Sequence, residues 1–253
     1  MIKNIFQIRK GTLVLISVMS VITIIGLTFA WNYYGNINDS EDPRVIQAKI
    51  IYSRYNTLVE AEKYDEILLL LDSIFDIYNS YSDYKDSYEN GVIYNNKAAT
   101  YISMALFYHV EGLERDSLLQ LAKIEAESSI KIYENWHKSF GSLSESEIIK
   151  KIQPIYLAQH QRFVKKKINK YINKRCQDII LAQRENPRRL SVSYTNLGIV
   201  QKHQNNIDGA MKSFNKALEL WDKNLSAENN INIIQGKPLK EQSILERIFP
   251  DKK

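Results

Sequence analysis

The sequence predicts an all-α protein: an N-terminal transmembrane helix followed by a domain of helical hairpins. Three observations point there. Only 9 Gly and 5 Pro punctuate the 253 residues, too few for a turn-rich sheet protein. Apolar side chains recur at helical spacing, with no sustained alternation, and the 44% apolar content supports a sizeable core. From Gly11 to Ala30 no position carries a charge, a run whose helical length matches the ~30 Å hydrocarbon thickness of a bilayer.

In chain order, residues 1–10 read as a short cytoplasmic N-terminus, 11–30 as the transmembrane anchor, 31–43 as a linker and 44–253 as the helical domain. Lys3, Arg9 and Lys10 precede the apolar run, and Trp31, Tyr33 and Tyr34 follow it, where an interfacial aromatic belt belongs. The positive flank stays inside, so the domain is expected outside the cytoplasm, on a single-pass cell-membrane anchor. A signal peptide cut after Ala30 is the alternative. Bulky Phe29 and Trp31 crowd that cut, and the apolar run exceeds the usual signal-peptide core of about 7–15 residues.

Beyond Pro43, a residue suited to a first helical turn, Ile46, Ile50, Ile51 and Leu58 mark one helix. Ile67, Leu71, Ile74 and Ile77 mark a second, with the joint at Glu62 to Lys63. A tyrosine-rich connector, Asn79 to Asn90, comes next. Further helices are predicted over 91–110, 116–137, 145–184, 191–204, 207–223 and 239–248, with breaks at Gly112, Gly141, Pro187 and Gly236 and a kink or division at Pro154.

Residues 191–222, SVSYTNLGIVQKHQNNIDGAMKSFNKALELWD, carry Tyr194, Leu197 and Gly198 in one helix and Ala210, Phe214 and Ala217 in the next. This segment resembles a tetratricopeptide repeat over essentially its whole length. Small residues at 198, 210 and 217 would let two antiparallel helices approach closely, with Tyr194, Leu197 and Phe214 filling the gap. A degenerate second copy covers 91–136, where Tyr94 to Ala98 aligns with Tyr194 to Gly198 and Ala122, Ala126 and Ser129 take the small places. A weak third covers 48–81, around Lys63-Tyr64-Asp65-Glu66. One repeat cannot bury its own apolar face, so neighbouring helix pairs are required.

The resemblance implies a membrane-anchored adaptor or scaffold that binds a protein or peptide partner. It implies a partner groove lined by Lys49, Tyr52, Asn56, Asn95, Asn96, Ala99, Thr195, Asn196, Ile199 and Lys202. The alternative is a sensory or regulatory ectodomain that binds a small ligand between helices. No catalytic constellation is readable. His109, His137, His160 and His203 lie far apart in sequence, no phosphate loop or nucleophile elbow occurs, and the single Cys176 excludes an internal disulfide. Neither an enzyme activity, a cofactor nor a metal is expected. Cys176 reads instead as part of an apolar stripe with Ile168, Ile172, Ile179 and Ile180.

The charge is segregated. Residues 31–149 hold 10 Lys/Arg against 20 Asp/Glu, and residues 150–189 hold 12 against 2. Arg162, Lys165, Lys166, Lys167, Lys170, Lys174 and Arg175 form a candidate face for an anionic partner on an amphipathic helix with Phe163, Ile168, Tyr171 and Ile172. Self-association through the opposed charges is one use for it, lipid headgroups another, and nucleic acid is not the expected partner.

Overall fold

The computed structural model describes residues 19–20, 22–27, 40–108 and 111–241. Among these the regular structure is entirely helical, as the periodicity predicts. The chain divides into two compact units, 1–41 and 42–253. In the first, the described residues between Met19 and Leu27 are helical, and Thr23 Oγ1 donates to the Met19 carbonyl at 2.9 Å.

The predicted N-terminal transmembrane helix is corrected. No helix among the described residues is long and apolar enough to cross a membrane, a task that takes about 20 continuous residues. The rest of the 11–30 segment, all of 1–10 and most of the 31–43 linker lie outside the described residues.

The second unit contains α1 (Ile46–Tyr52), α2 (Tyr55–Glu60), α3 (Tyr64–Asn79), α4 (Tyr88–Phe107), α5 (Gly112–Phe140), α6 (Glu145–Ala158), α7 (Ile168–His203), α8 (Ile207–Leu220) and α9 (Leu225–Ile234). Helix α3 packs on α1, α2 and α4, α4 on α5, α5 on α7, and α7 on both α6 and α8, with α9 closing over α8. Leu58, Ile67, Leu71 and Ile74 form one core with Tyr84 and Ile93, and Trp136, Ile148, Tyr156, Cys176 and Ile179 form another between α5, α6 and α7. Of the forecast stripe, Ile168, Ile172, Cys176 and Ile179 are buried there and Ile180 is half-buried against them.

Two hairpins show the same packing device. At Gly198 an added Cβ would lie 2.5 Å from the Phe214 ring, and at Gly91 it would lie 2.6 Å from the Tyr133 ring. Each glycine lets an aromatic side chain of the following helix rest on bare backbone. Ala122, Ala126, Ser129, Ala210 and Ala217 are fully buried along the same crossings.

The helix ends repeat a second device. Glu62, Asn205 and Gly236 have positive φ (53°, 61° and 64°) just past α2, α7 and α9. Lys63, Asn206 and Lys237 then donate N–H groups back to Leu58, Gln201 and Asn232 at 3.0, 2.8 and 2.8 Å. These are Schellman closures, which satisfy carbonyls that the helix leaves open. The breaks expected at Glu62 to Lys63 and at Gly236 have this cause.

Several boundaries differ from expectation. The helix expected through 46–61 divides at Ser53 and Arg54, and the helix expected over 145–184 divides at Gln159 to Lys167 into α6 and α7, joined by two short 3-10 turns. Pro154 sits inside α6 without ending it, and α7 continues through Pro187. The Pro187 ring is exposed, whereas Ala182, Asn186 and Leu190 around it are buried. Packing on both sides outweighs the ~3 kcal/mol that an interior proline costs. Helix α9 was not expected; Asn224 caps it, accepting from the Ala227 N–H at 3.1 Å. Of the helix expected at 239–248, the described residues 239–241 are not helical and the rest lies outside the described residues.

Gly198→Ala and Gly91→Ala should each destabilise the protein by about 1–3 kcal/mol, because the added methyl overlaps a buried ring. Thermal unfolding of the two variants beside the exposed control Lys212→Ala checks this.

Candidate functional site

Arg44, just before α1, is buried, and all five of its guanidinium N–H groups are engaged. Nε donates to Asp42 Oδ1 at 3.0 Å and Nη2 to Asp42 Oδ2 at 2.7 Å. Nη1 and Nη2 each reach an Asp83 oxygen at 3.0 Å, and Nη1 also reaches Gln159 Oε1 at 3.0 Å. The Tyr84 and Tyr156 hydroxyls donate to Asp42 Oδ2 at 3.1 and 2.8 Å. Burial alone would raise the Asp42 pKa, but the Arg44 hydrogen bonds and charge outweigh it and hold it below the ordinary value.

The Tyr84 ring lies between two guanidinium groups, with Arg44 at 5.4 Å and Arg175 at 4.5 Å from its centroid. Arg175, from α7, forms an ion pair with Glu89 in the first turn of α4. Burial pushes Glu89 up, and the Arg175 charge and hydrogen bond pull it below its ordinary value. A chain therefore runs from Asp42 through Arg44, the Tyr84 ring between two cations, and Arg175 to Glu89, with a carboxylate at either end.

Arg175 lines a concavity on either side of itself. The first, about 270 Å³, has Trp136, Ile152 and Tyr156 as its apolar wall and Asp86 and Ser87 on its polar side. Ser87 is buried, and its hydroxyl has no hydrogen-bond partner of ordinary geometry among the described residues. The second, about 240 Å³, is bounded by Lys49, Tyr88, Glu89, Leu181, Glu185 and Arg189. Around it Lys49 and Lys174 converge on Asp178, Arg188 grips Glu185, and Leu181 stands 59% exposed in the middle of these charges. The Tyr88 and Tyr133 rings approach to 5.1 Å behind it, and neither hydroxyl has a partner among the described residues.

The residues expected to line one open groove are separated by the fold. Lys49 lines the second concavity. Asn95, Asn96, Thr195 and Asn196 are buried and spend their polar groups inside. Asn196 Nδ2 donates to Asn95 Oδ1 at 3.0 Å, and Asn96 Nδ2 donates to the Tyr52 hydroxyl at 3.0 Å. Ser193 Oγ also donates to Asn95 Oδ1, at 3.1 Å, and meets Ser129 Oγ at 2.8 Å. Asn224 Nδ2 reaches Ser191 and Thr195 hydroxyls at 2.7 and 2.8 Å, and Lys202 Nζ donates to Asn230 at 2.6 Å. Asn56 is exposed, and Ala99 and Ile199 are half-buried. Tyr52 of α1 and Asn224 and Asn230 at α9 reach these side chains, and the buried polar residues among them form a seam between helices.

The basic face also divides. Lys165, Lys166 and Lys167 occupy a 3-10 turn rather than the continuous amphipathic helix expected from Arg162 to Arg175. Arg162 stacks over Tyr81 at 5.7 Å. Lys170 is exposed on α7, Lys174 pairs with Asp178 one turn on, and Arg175 turns inward to Glu89. Sequence reading missed Arg44, Asp83, Glu89, Leu181 and Arg189. The 162–175 run drew attention to Arg175 as surface charge, when its function is interior pairing.

No family model matches the chain, and neither does any curated protein or solved structure.

Arg44→Met leaves the buried Asp42 and the half-buried Asp83 without their cation and should cost about 3–5 kcal/mol, read from urea unfolding. Glu89 titrates in the opposite sense to a desolvated acid. Its folded pKa lies below the ordinary 4.5, so the stability it contributes is complete above that pH and is lost as the pH falls through the lowered value. Glu89→Gln should lower the melting temperature at pH 7 and flatten its decline below pH ~4.5, checked by melts across pH 2–7.

Proposed function

We propose that the chain is a helical adaptor or scaffold that binds a protein or peptide partner, built on hairpins that resemble tetratricopeptide repeats. The observation that carries this reading is the surface around Leu181. It places one exposed leucine among Lys49, Asp178, Glu185 and Arg189, beside a concavity of about 240 Å³. An apolar anchor ringed by charges of both signs has the anatomy of a protein contact, in which a few central apolar or arginine residues dominate the binding energy. Two repeated helix crossings on glycine, at Gly91 and Gly198, support the repeat-like reading.

A small-ligand reading is second. It is favoured by the hollow of about 270 Å³ beside α6, whose buried Ser87 hydroxyl has no partner of ordinary geometry among the described residues. Its size falls near the lower end of ligand sites.

A photo-crosslinking residue at Leu181, in the full chain expressed in its own cells, should yield a discrete adduct, and the same residue at exposed Leu69 on α3 should not. Leu181→Asp should then weaken binding of the captured partner about tenfold or more, or ~1.4 kcal/mol, with melting unchanged. Adducts at both positions, or at neither, would sink the reading.

A further inference from the structure

Helix α7 runs for 36 residues, about 54 Å at the α-helical rise. Its two ends present opposite charge. At its start, the segment from Lys150 to Lys170 contains seven Lys or Arg and no carboxylate. Val164, 58% exposed, and Leu157, 50% exposed, stand in that segment beside the exposed Lys165 and Lys166.

At the other end three hairpin tips meet. The Tyr108 hydroxyl donates to the Glu62 carbonyl at 3.3 Å, which joins the α4 terminus to the α2–α3 turn. Arg115 Nη2 meets His203 Nδ1 at 3.1 Å, which joins the start of α5 to the end of α7. Phe107, Leu113, Val59 and Ile207 are exposed on these tips, Leu113 to 87%. Over 59–66, 111–116 and 201–208, eight carboxylates stand against three Lys or Arg, and all eight are exposed.

We propose that the protein associates head to tail with a second copy of itself, the Val164–Lys166 loop at the start of α7 seating on the acidic hairpin tips at the end of α7 in the next molecule. Each surface supplies what the other lacks: exposed aliphatic groups flanked by cations on one side, exposed aromatic and aliphatic groups ringed by carboxylates on the other. Because the two surfaces differ and lie at opposite ends of one long helix, the contact is heterologous. It adds molecules in a row or a ring rather than closing a two-fold dimer. Exposed charges dominate it, so it is held at low ionic strength and released as the screening length falls from about 30 Å at 0.01 M salt to about 10 Å at 0.1 M. This contact uses neither the Leu181 surface nor its partner.

The test is sedimentation velocity of the full chain at about 0.01 and 0.3 M salt, with two charge-reversed variants: Lys165→Glu with Lys166→Glu, and Glu60→Lys with Glu111→Lys. The parent should form salt-sensitive oligomers, and each variant alone should lose them while keeping the parent's circular dichroism and melting temperature. An equimolar mixture of the two variants should restore association at 0.01 M, since the carboxylates introduced in the loop of one now face the cations introduced on the tips of the other. A parent that stays monomeric at low salt overturns the proposal and leaves the two ends to a different protein. Variants that associate as the parent does, or a mixture that fails to recover, overturn it as well.

Discussion

The geometry of the second unit depends on one guanidinium group. Arg44 has five donors and no acceptor capacity, so burying it requires that carboxylates and carbonyls be brought to it from wherever the chain can supply them. Asp42 comes from two residues away, Asp83 from the connector between α3 and α4, and Gln159 from the end of α6. Segments far apart in sequence are thereby fixed to one point. The part of the polar, tyrosine-rich connector that lies between α3 and α4, Ser80 to Ser87, is held at that point through Asp83 and Tyr84. Its Tyr84 ring, set between Arg44 and Arg175, passes the constraint to α7 and, through Glu89, to the first turn of α4.

A second constraint acts between the hairpins. Asn95, Ser129, Ser193 and Asn196 bond to one another across α4, α5 and α7. Apolar contacts tolerate sliding along a helix axis, but a buried amide displaced by one turn loses partners and bears a desolvation cost of about 1–3 kcal/mol. Such a seam fixes the axial register of the three helices. The close glycine crossings then determine how near the helices come. Ser191, which donates to the Ala217 carbonyl at 2.7 Å and accepts from Asn224, extends the seam to α8 and α9.

Much of the helical content was readable because it rests on local signals: apolar spacing, glycine at 141 and 236, and the small residues of 191–222. What escaped was decided by tertiary contact. Pro187 and Pro154 are strong local breakers, yet burial of the neighbouring residues overrides them. Glu62 gives no sign of a left-handed conformation, and only the closure from Lys63 to Leu58 shows it. The alignment of Tyr94–Ala98 with Tyr194–Gly198 pairs two small residues, Ala98 and Gly198, that are both buried. Still, the glycine that carries an aromatic ring in the α4–α5 hairpin is Gly91, about two turns earlier. The burial of the polar seam escaped for a related reason. Side-chain type shows that Asn95, Asn96, Thr195 and Asn196 share a face of polar residues, but not whether another helix covers it, and α1 and α9 do.

The division of the basic residues follows from the same physics. A guanidinium presents a flat, weakly hydrated face and a fork of donors, so it can be buried against tyrosine and carboxylate; a lysine ammonium is a compact, strongly hydrated charge that favours the surface. Arg44 and Arg175 accordingly lie within, against Tyr84, while Lys165 and Lys166 stay exposed on the loop between α6 and α7. Of the charge counted over 150–189, part is therefore matched inside the molecule, at Glu89, Asp178 and Glu185. The exposed lysines cluster at the one end of α7 where the sequence supplies no carboxylate. The surplus belongs to the molecule's outward field, and it lies a full helix length from the carboxylates gathered at the hairpin tips.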